Sequence, residues 1–235
     1  MRNQIFEGTI KVIFEDKGYG FIESTEHPEG VFFLISQIKR TISEGDHVAY
    51  EAHPSRKNPD KSEARFIRQV FVTKNNVKVL EGIKSTIHAK AREVLHEILP
   101  TIELETSKEI IEFQATLDNH TGYQYCIETN DNDKIIYAKR WKKSTYYKFV
   151  IDKKPAETNE FTIIFKQIED YYLVLTAFFG PKAEPFPWDK NANIEKSLNF
   201  WKNHAIVLAG EFDIKPETIT GILPEELEEY FPDSL

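Results

Sequence analysis

Four side chains in the second half of the chain, His120, Lys139, Thr176 and His204, have types suited to acid–base work. An imidazole titrates near neutral pH, so it can take a proton in one step and return it in another. Metal-free cleavage of a phosphodiester needs a base for the attacking hydroxyl, an acid for the leaving oxygen and a cation for the charge that develops on the phosphate. Two histidines and Lys139 supply that set, and Thr176 adds a hydroxyl. Lys139 also lies in the most basic stretch of the chain. Residues 137–149, YAKRWKKSTYYKF, hold five cations and no acid, and 134–154 hold eight against the single acid Asp152, in a chain of net charge -8. A basic, aromatic-rich island in an acidic protein points to a polyanion, with Arg140, Lys142 and Lys143 at its rim, although a strand with a solvated lysine face has the same composition.

Strands must position these groups. Along 134–141, period-two alternation places Tyr137 and Lys139 on an open face and Ile136, Ala138 and Arg140 on the other. Along 171–179 it sends Tyr172, Val174, Thr176 and Phe178 one way and Leu173, Leu175 and Ala177, read as the buried set, the other. His120 falls in the loop DNHTG, and His204 falls at the end of a helix marked by Ile194, Leu198 and Trp201 at helical spacing. The six segments 109–117, 122–129, 134–141, 146–151, 160–168 and 171–179 read as an antiparallel meander, with a tight hairpin turn at 168–171. A proline-rich stretch, 180–189, reads as a brace that packs Phe186 and Trp188 over the sheet.

The first seventy residues have a different texture. GTIKVIF, YGFIES, VFFLI, HVAYEAH and ARFIRQVFV are five short strands separated by turn residues, which suggests a small barrel. Alternation puts Tyr19 and Phe21 on one face, and Phe32 and Leu34 on one face with Phe33 on the opposite one. Outward rings of this kind are platforms for bases, and Lys11 and Lys17 would meet phosphates. GTIKVIFEDKGYGFIES, followed by GVFFLISQI and EGDHVAYEA, resembles a cold-shock domain over residues 6–72. The resemblance implies an OB-type barrel that holds single-stranded nucleic acid. Two positions depart from it: Val12 stands where the family usually has a stacking Trp, and Leu34 where it usually has His. Residues 1–75 carry eleven Lys/Arg against eleven Asp/Glu, so binding by this part alone is expected to be weak and salt-sensitive.

Between the halves, apolar residues at three- and four-residue steps predict a helix over 81–99, ended by Pro100. His88 and His96 on it are two turns apart, too far for a shared metal. A single Cys126 excludes an internal disulfide and a multi-thiolate zinc site, and no dinucleotide or phosphate-loop motif occurs, so no cofactor is implied. No apolar run reaches membrane-spanning length and the N-terminus does not read as a signal peptide, so a cytoplasmic protein with no membrane contact is expected. The helix, the meander, the segment YAKR, the strand end LTAFFG and the late WKNHA resemble the barnase, EndoU, colicin and RelE-type toxin ribonuclease superfamily over 82–210.

That second resemblance implies metal-independent RNA cleavage leaving a 2′,3′-cyclic phosphate, with tRNA or ribosome-bound message as substrate and a cognate inhibitor protein as partner. It places Lys139 and Arg140 on the phosphate, Thr176 near the scissile group and the two histidines as acid and base, in undecided order. The expected organisation is an all-β OB-type barrel (1–75), an α+β domain with an amphipathic helix and a meander sheet (76–215), and an acidic tail (216–235) that is solvated or lies against the basic strand. A non-catalytic RNA-binding regulator or chaperone, and a protein-interaction module of a phage or defence system, remain open alternatives.

Overall fold

The computed structural model describes residues 4–38, 42–55, 58–82, 87–141, 145–209 and 212–230. The five expected N-terminal strands form as β1 (Ile5–Phe14), β2 (Tyr19–Glu23), β3 (Val31–Leu34), β4 (His47–Pro54) and β5 (Ser62–Val72). β1 pairs antiparallel with β2 and β4, β2 with β3, and β4 with β5, while a parallel bridge from Phe32 to Glu63 joins β3 to β5 and closes the barrel. Alternation decides what fills it. Ile10, Ile22, Val31, Phe33, Val48 and Tyr50 point inward and are essentially without solvent exposure, each worth about 1.5–3 kcal/mol of burial. Gly20 lies over this core so closely that a Cβ would stand 2.3 Å from the Phe33 ring, which only glycine avoids.

The chain divides into two compact units, 1–114 with 163–178, and 115–162 with 179–235. The sequence-based boundary at 75/76 differs because of pairings made far along the chain. β6 (Lys78–Glu81), of which only Glu81 falls in the helix expected over 81–99, pairs antiparallel with the end of β5 and parallel with β14 (Tyr171–Phe179). β13 (Glu160–Ile168) and β7 (Ile110–Thr116) follow, giving a nine-stranded order β3-β2-β1-β4-β5-β6-β14-β13-β7. The hairpin of β13 and β14 is as expected, with Glu169 of its turn at φ 52°. α1 is shorter than expected, Ala89–Ile98, and buries Ala91, Val94 and Leu95. Ile83 of the expected helix lies outside the described residues.

The second unit contains β8 (Gly122–Gln124), β9 (Cys126–Glu128), β10 (Ile135–Lys139), β11 (Tyr146–Val150), β12 (Ala156–Thr158), α2 (Ile194–Lys202) and β15 (His204–Val207). They build a sheet ordered β10-β11-β15-β9 and a separate β8–β12 pair. The single meander is therefore overturned: the segment 122–129 splits between two sheets, and β15 pairs parallel with β11. α2 is capped by Asn193, whose side chain accepts from the Lys196 amide at 3.1 Å. It ends at Lys202, so that HAIV can extend as a strand with Ala205 and Val207 buried. Phe186 acts as the expected brace, stacked 3.9 Å from Trp201 and 4.9 Å from Trp188.

The acidic C-terminal segment is part of this unit, against the expectation of a separate tail. Thr220 and Ile214 bridge to Tyr137 and Arg140 along the edge of β10, and Leu227 is buried. Among the described residues no helix is long and apolar enough to cross a membrane.

Candidate nucleic-acid interface

The outer face of β1, β2 and β3 is a grid of six side chains set by strand register. One row runs Val12, Phe21, Phe32 and the next runs Phe14, Tyr19, Leu34. Four of the six are aromatic, and they touch one another: Phe14 to Tyr19 at 5.2 Å, Tyr19 to Phe32 at 5.5 Å, and Tyr19 and Phe32 each to Phe21 at 5.9 Å between ring centroids. Edge-on and tilted contacts of this kind hold the rings in place while leaving faces toward solvent. Phe33, between Phe32 and Leu34 in sequence, is wholly inside.

The departures noted at Val12 and Leu34 occupy opposite corners of the grid, so the aromatic part is a contiguous diagonal band. Phe14 was missed as a site residue. Its signal was its place one step before the Glu15–Lys17 turn, which pairs it with Tyr19 across the hairpin. That turn closes on Gly18 at φ 73°, a left-handed conformation suited to glycine.

Two cations flank the band. The Lys17 ammonium sits 5.3 Å from the Phe14 ring centroid, and Lys11 makes an exposed ion pair with Glu23 at 3.6 Å. An exposed pair contributes under about 1 kcal/mol and can exchange Glu23 for a phosphate. The surface is thus able to stack several unpaired bases and to meet about two phosphates.

The second-half candidates are divided between the two units. Thr176 lies in the first compact unit, whereas His120, Lys139 and His204 lie in the second. The face of β14 expected to be buried is also not uniformly so, since Leu175 is exposed and Tyr172 and Val174 are the buried pair. His204 is stacked on Phe200 at 4.0 Å, with Nδ1 2.8 Å from the Phe200 carbonyl oxygen. His120 is half-buried in the loop before β8. The Lys139 ammonium pairs with Glu226 at 3.6 Å and lies over the Tyr146 ring.

Arg140 is buried rather than at a rim. Its guanidinium makes a two-pronged pair with Asp189 at 2.9 and 3.3 Å, and packs 4.4 Å from Tyr147. Lys142 and Lys143 lie outside the described residues. Lys148 is buried too and donates to the carbonyl oxygens of Trp201 and Lys202 at 2.6 and 3.4 Å, closing the end of α2. Burial drags its pKa down to about 8, and burial pushes the nearby Cys126 thiol up to about 12. Arg140 and Lys148, two of the six described cations of residues 134–154, are therefore internal, which composition cannot reveal. Among the described residues no cluster of His, Cys, Asp or Glu is arranged to hold a metal ion.

Comparison with known proteins bears on the barrel alone. Residues 6–69 match the sequence model of the 'Cold-shock' DNA-binding domain, which is the resemblance read from the sequence over 6–72. A solved structure of drosophila Unr, CSD456, is similar at 12% identity and a TM-score of 0.25, covering 76% of this chain and 63% of that one. The chain thus spans less than two thirds of that structure, and the low score carries no argument. No curated protein sequence matches the chain. Neither match is to the ribonuclease superfamily.

Proposed function

We propose that this protein binds single-stranded nucleic acid through the aromatic band Phe14, Tyr19, Phe21 and Phe32, with Lys11 and Lys17 meeting the backbone. The observation that carries the reading is the mutual contact of four outward rings on three adjacent strands beneath which Phe33 fills the core. A barrel that needed these rings as filling would turn them inward. Each base stacked on a ring contributes about 1–3 kcal/mol, and every base has a face to offer, so sequence preference is modest. Phe14, Phe21 and Phe32 carry no group that reads a 2′-hydroxyl and Tyr19 offers a single phenol, so RNA and DNA single strands of one sequence bind within a few-fold of each other.

Duplexes bind far more weakly, because their bases are already stacked. The role is one of holding strands. Lys139, Arg140 and His204, which a cleavage site would use, are each engaged in packing or pairing within the second unit.

The test is fluorescence anisotropy with a labelled eight-nucleotide single strand, its duplex and the matching RNA at low salt. Saturable binding of both single strands, and of the duplex at least tenfold more weakly, is expected, with the RNA recovered intact in EDTA. Duplex binding equal to single-strand binding refutes the stacking reading, and a 2′,3′-cyclic product lost in His204→Ala would return the histidines to a catalytic role.

A further inference from the structure

β10 is an outer strand of the second unit's larger sheet, and the chain lines its edge with its own C-terminal segment. The main chains of Tyr137 and Thr220 exchange hydrogen bonds at 2.8 and 3.0 Å. Lys215 donates to the Lys139 carbonyl at 2.9 Å, Trp141 donates to that of Asp213 at 2.9 Å, and the Lys139 amide donates to the Thr218 hydroxyl at 2.9 Å. Farther along, a 3₁₀ turn over Glu225–Tyr230 brings Glu226 back to the pair β10 and β11.

What the segment delivers there is an anion. Lys139 and Tyr146 are direct partners across β10 and β11, so their side chains share a face, and Tyr137 joins them two residues earlier. The Lys139 ammonium lies 5.3 Å from the Tyr146 ring centroid. Both polar tips converge on Oε1 of Glu226, the ammonium at 3.6 Å and the Tyr146 hydroxyl, which donates to it, at 3.0 Å. A cation and a phenol aimed at one anionic oxygen are donors that a phosphate oxygen accepts from equally well. The charges also match on the larger scale. Residues 134–154 hold eight Lys/Arg against one acid, and 216–235 hold six carboxylates and no Lys or Arg.

The hold on this segment is light. Among the described residues of 213–230 only Leu227 is buried, while Ile219 and Ile222 are 44% and 78% exposed. The Glu226 side chain is itself 60% exposed, and exposed ion pairs hold weakly. A tethered carboxylate nevertheless competes at an effective concentration on the order of millimolar, enough to keep a weakly binding phosphate out.

We propose that Lys139 and Tyr146 form a seat for a phosphate of single-stranded nucleic acid, and that segment 213–230 is an autoinhibitory strap that keeps Glu226 in it. Lifting the strap adds the Tyr137 and Tyr146 rings to the same face, which favours a strand over a free phosphate. The choice of nucleic acid as ligand rests on the reading of the barrel; the seat and its internal anion do not.

The test follows amide resonances of the ¹⁵N-labelled full chain during titration with the unlabelled eight-nucleotide strand and, separately, with inorganic phosphate. The parent protein is compared with Glu226→Ala and with Glu225→Ala, which removes the same charge one residue away. Both glutamates are exposed, so neither change reaches the core. In Glu226→Ala the amides of Tyr137, Lys139 and Tyr146 should shift saturably at strand concentrations at least tenfold below any at which the parent protein or Glu225→Ala responds there. Phosphate should need at least tenfold more, and adding Lys139→Ala to Glu226→Ala should abolish the shifts. Silence at 137–146 in Glu226→Ala, an equal response in Glu225→Ala, shifts that survive Lys139→Ala, or phosphate binding as tight as the strand would each overturn the proposal. The amides of 11–34 report on the barrel in the same spectra, so failure of the barrel reading is seen separately from failure of this one.

Discussion

Phe32 and Phe33 are neighbours in sequence with opposite surroundings, and replacing each by alanine separates function from fold. Phe33 has no solvent exposure and stands against Gly20 in the barrel core. Truncating it leaves a cavity in a packed interior, at a cost of about 3–5 kcal/mol, a large fraction of the stability of an ordinary domain. Phe32 lies half-exposed in the band, touching Tyr19 and Phe21 at 5.5 and 5.9 Å. Its truncation removes part of one side chain's burial, about 1–2 kcal/mol, and no buried cavity forms. The ring is nonetheless one of the stacking surfaces, so the loss in binding is about 1–3 kcal/mol, or roughly 5- to 150-fold in Kd.

Urea denaturation followed by near-ultraviolet circular dichroism, beside anisotropy with the same single strand, reads both quantities. Phe32→Ala should keep a cooperative transition and bind at least fivefold more weakly, while Phe33→Ala should lose most of its stability. Phe32→Ala binding as tightly as the parent protein would refute the assignment of the band.

Three further outcomes follow from the charges. With about two phosphates met by Lys11 and Lys17, affinity should fall about sevenfold between 50 and 200 mM salt, and a fall beyond about a hundredfold would point to the basic stretch instead. Removing one partner of the buried Arg140–Asp189 pair, as in Asp189→Ala, should cost about 3–5 kcal/mol and leave oligonucleotide binding unchanged; weakened binding by a still-folded protein would restore Arg140 as a ligand contact. Lys148 has a folded pKa of about 8 against the ordinary 10.5, so between those values the unfolded chain binds more protons and stability rises with pH. Relative to Lys148→Met, with Cys126→Ser in both proteins so that the interacting thiol does not titrate, the protein that keeps Lys148 should gain about 2–3 kcal/mol from pH 7.5 to pH 10.5; a constant difference would show that Lys148 is not desolvated.

The barrel was legible because its signals are local. Alternation in VFFL separates Phe32 from Phe33, and each turn carries its own residues, such as Gly18. What was not legible depends on partners distant in sequence. β6 is four residues, too short to show a period, and becomes a strand because β5 and β14 flank it. HAIV is likewise read as a helix end until β9 and β11 are placed on either side. Among the candidate residues, Tyr19, Phe21 and Phe32 follow from strand parity alone. The fate of Arg140 and Lys148 does not, since burial depends on Asp189 and on the end of α2, some fifty residues downstream.

The acidic C-terminal segment misled for the same reason. Its six carboxylates suggested a solvated tail, yet its backbone runs along β10 and Leu227 fills a buried position. Composition reports the charge of a segment and says nothing of its hydrogen bonds.

The claim that the ligand lies on the barrel, and not on the basic stretch, is tested most directly by titrating ¹⁵N-labelled protein with an unlabelled single strand and following the amide resonances. The predicted result is a set of shifts concentrated at residues 11–34, largest near Phe14, Tyr19, Phe21 and Phe32, with 134–154 unmoved. Shifts concentrated at 134–154 with the barrel unmoved would contradict it.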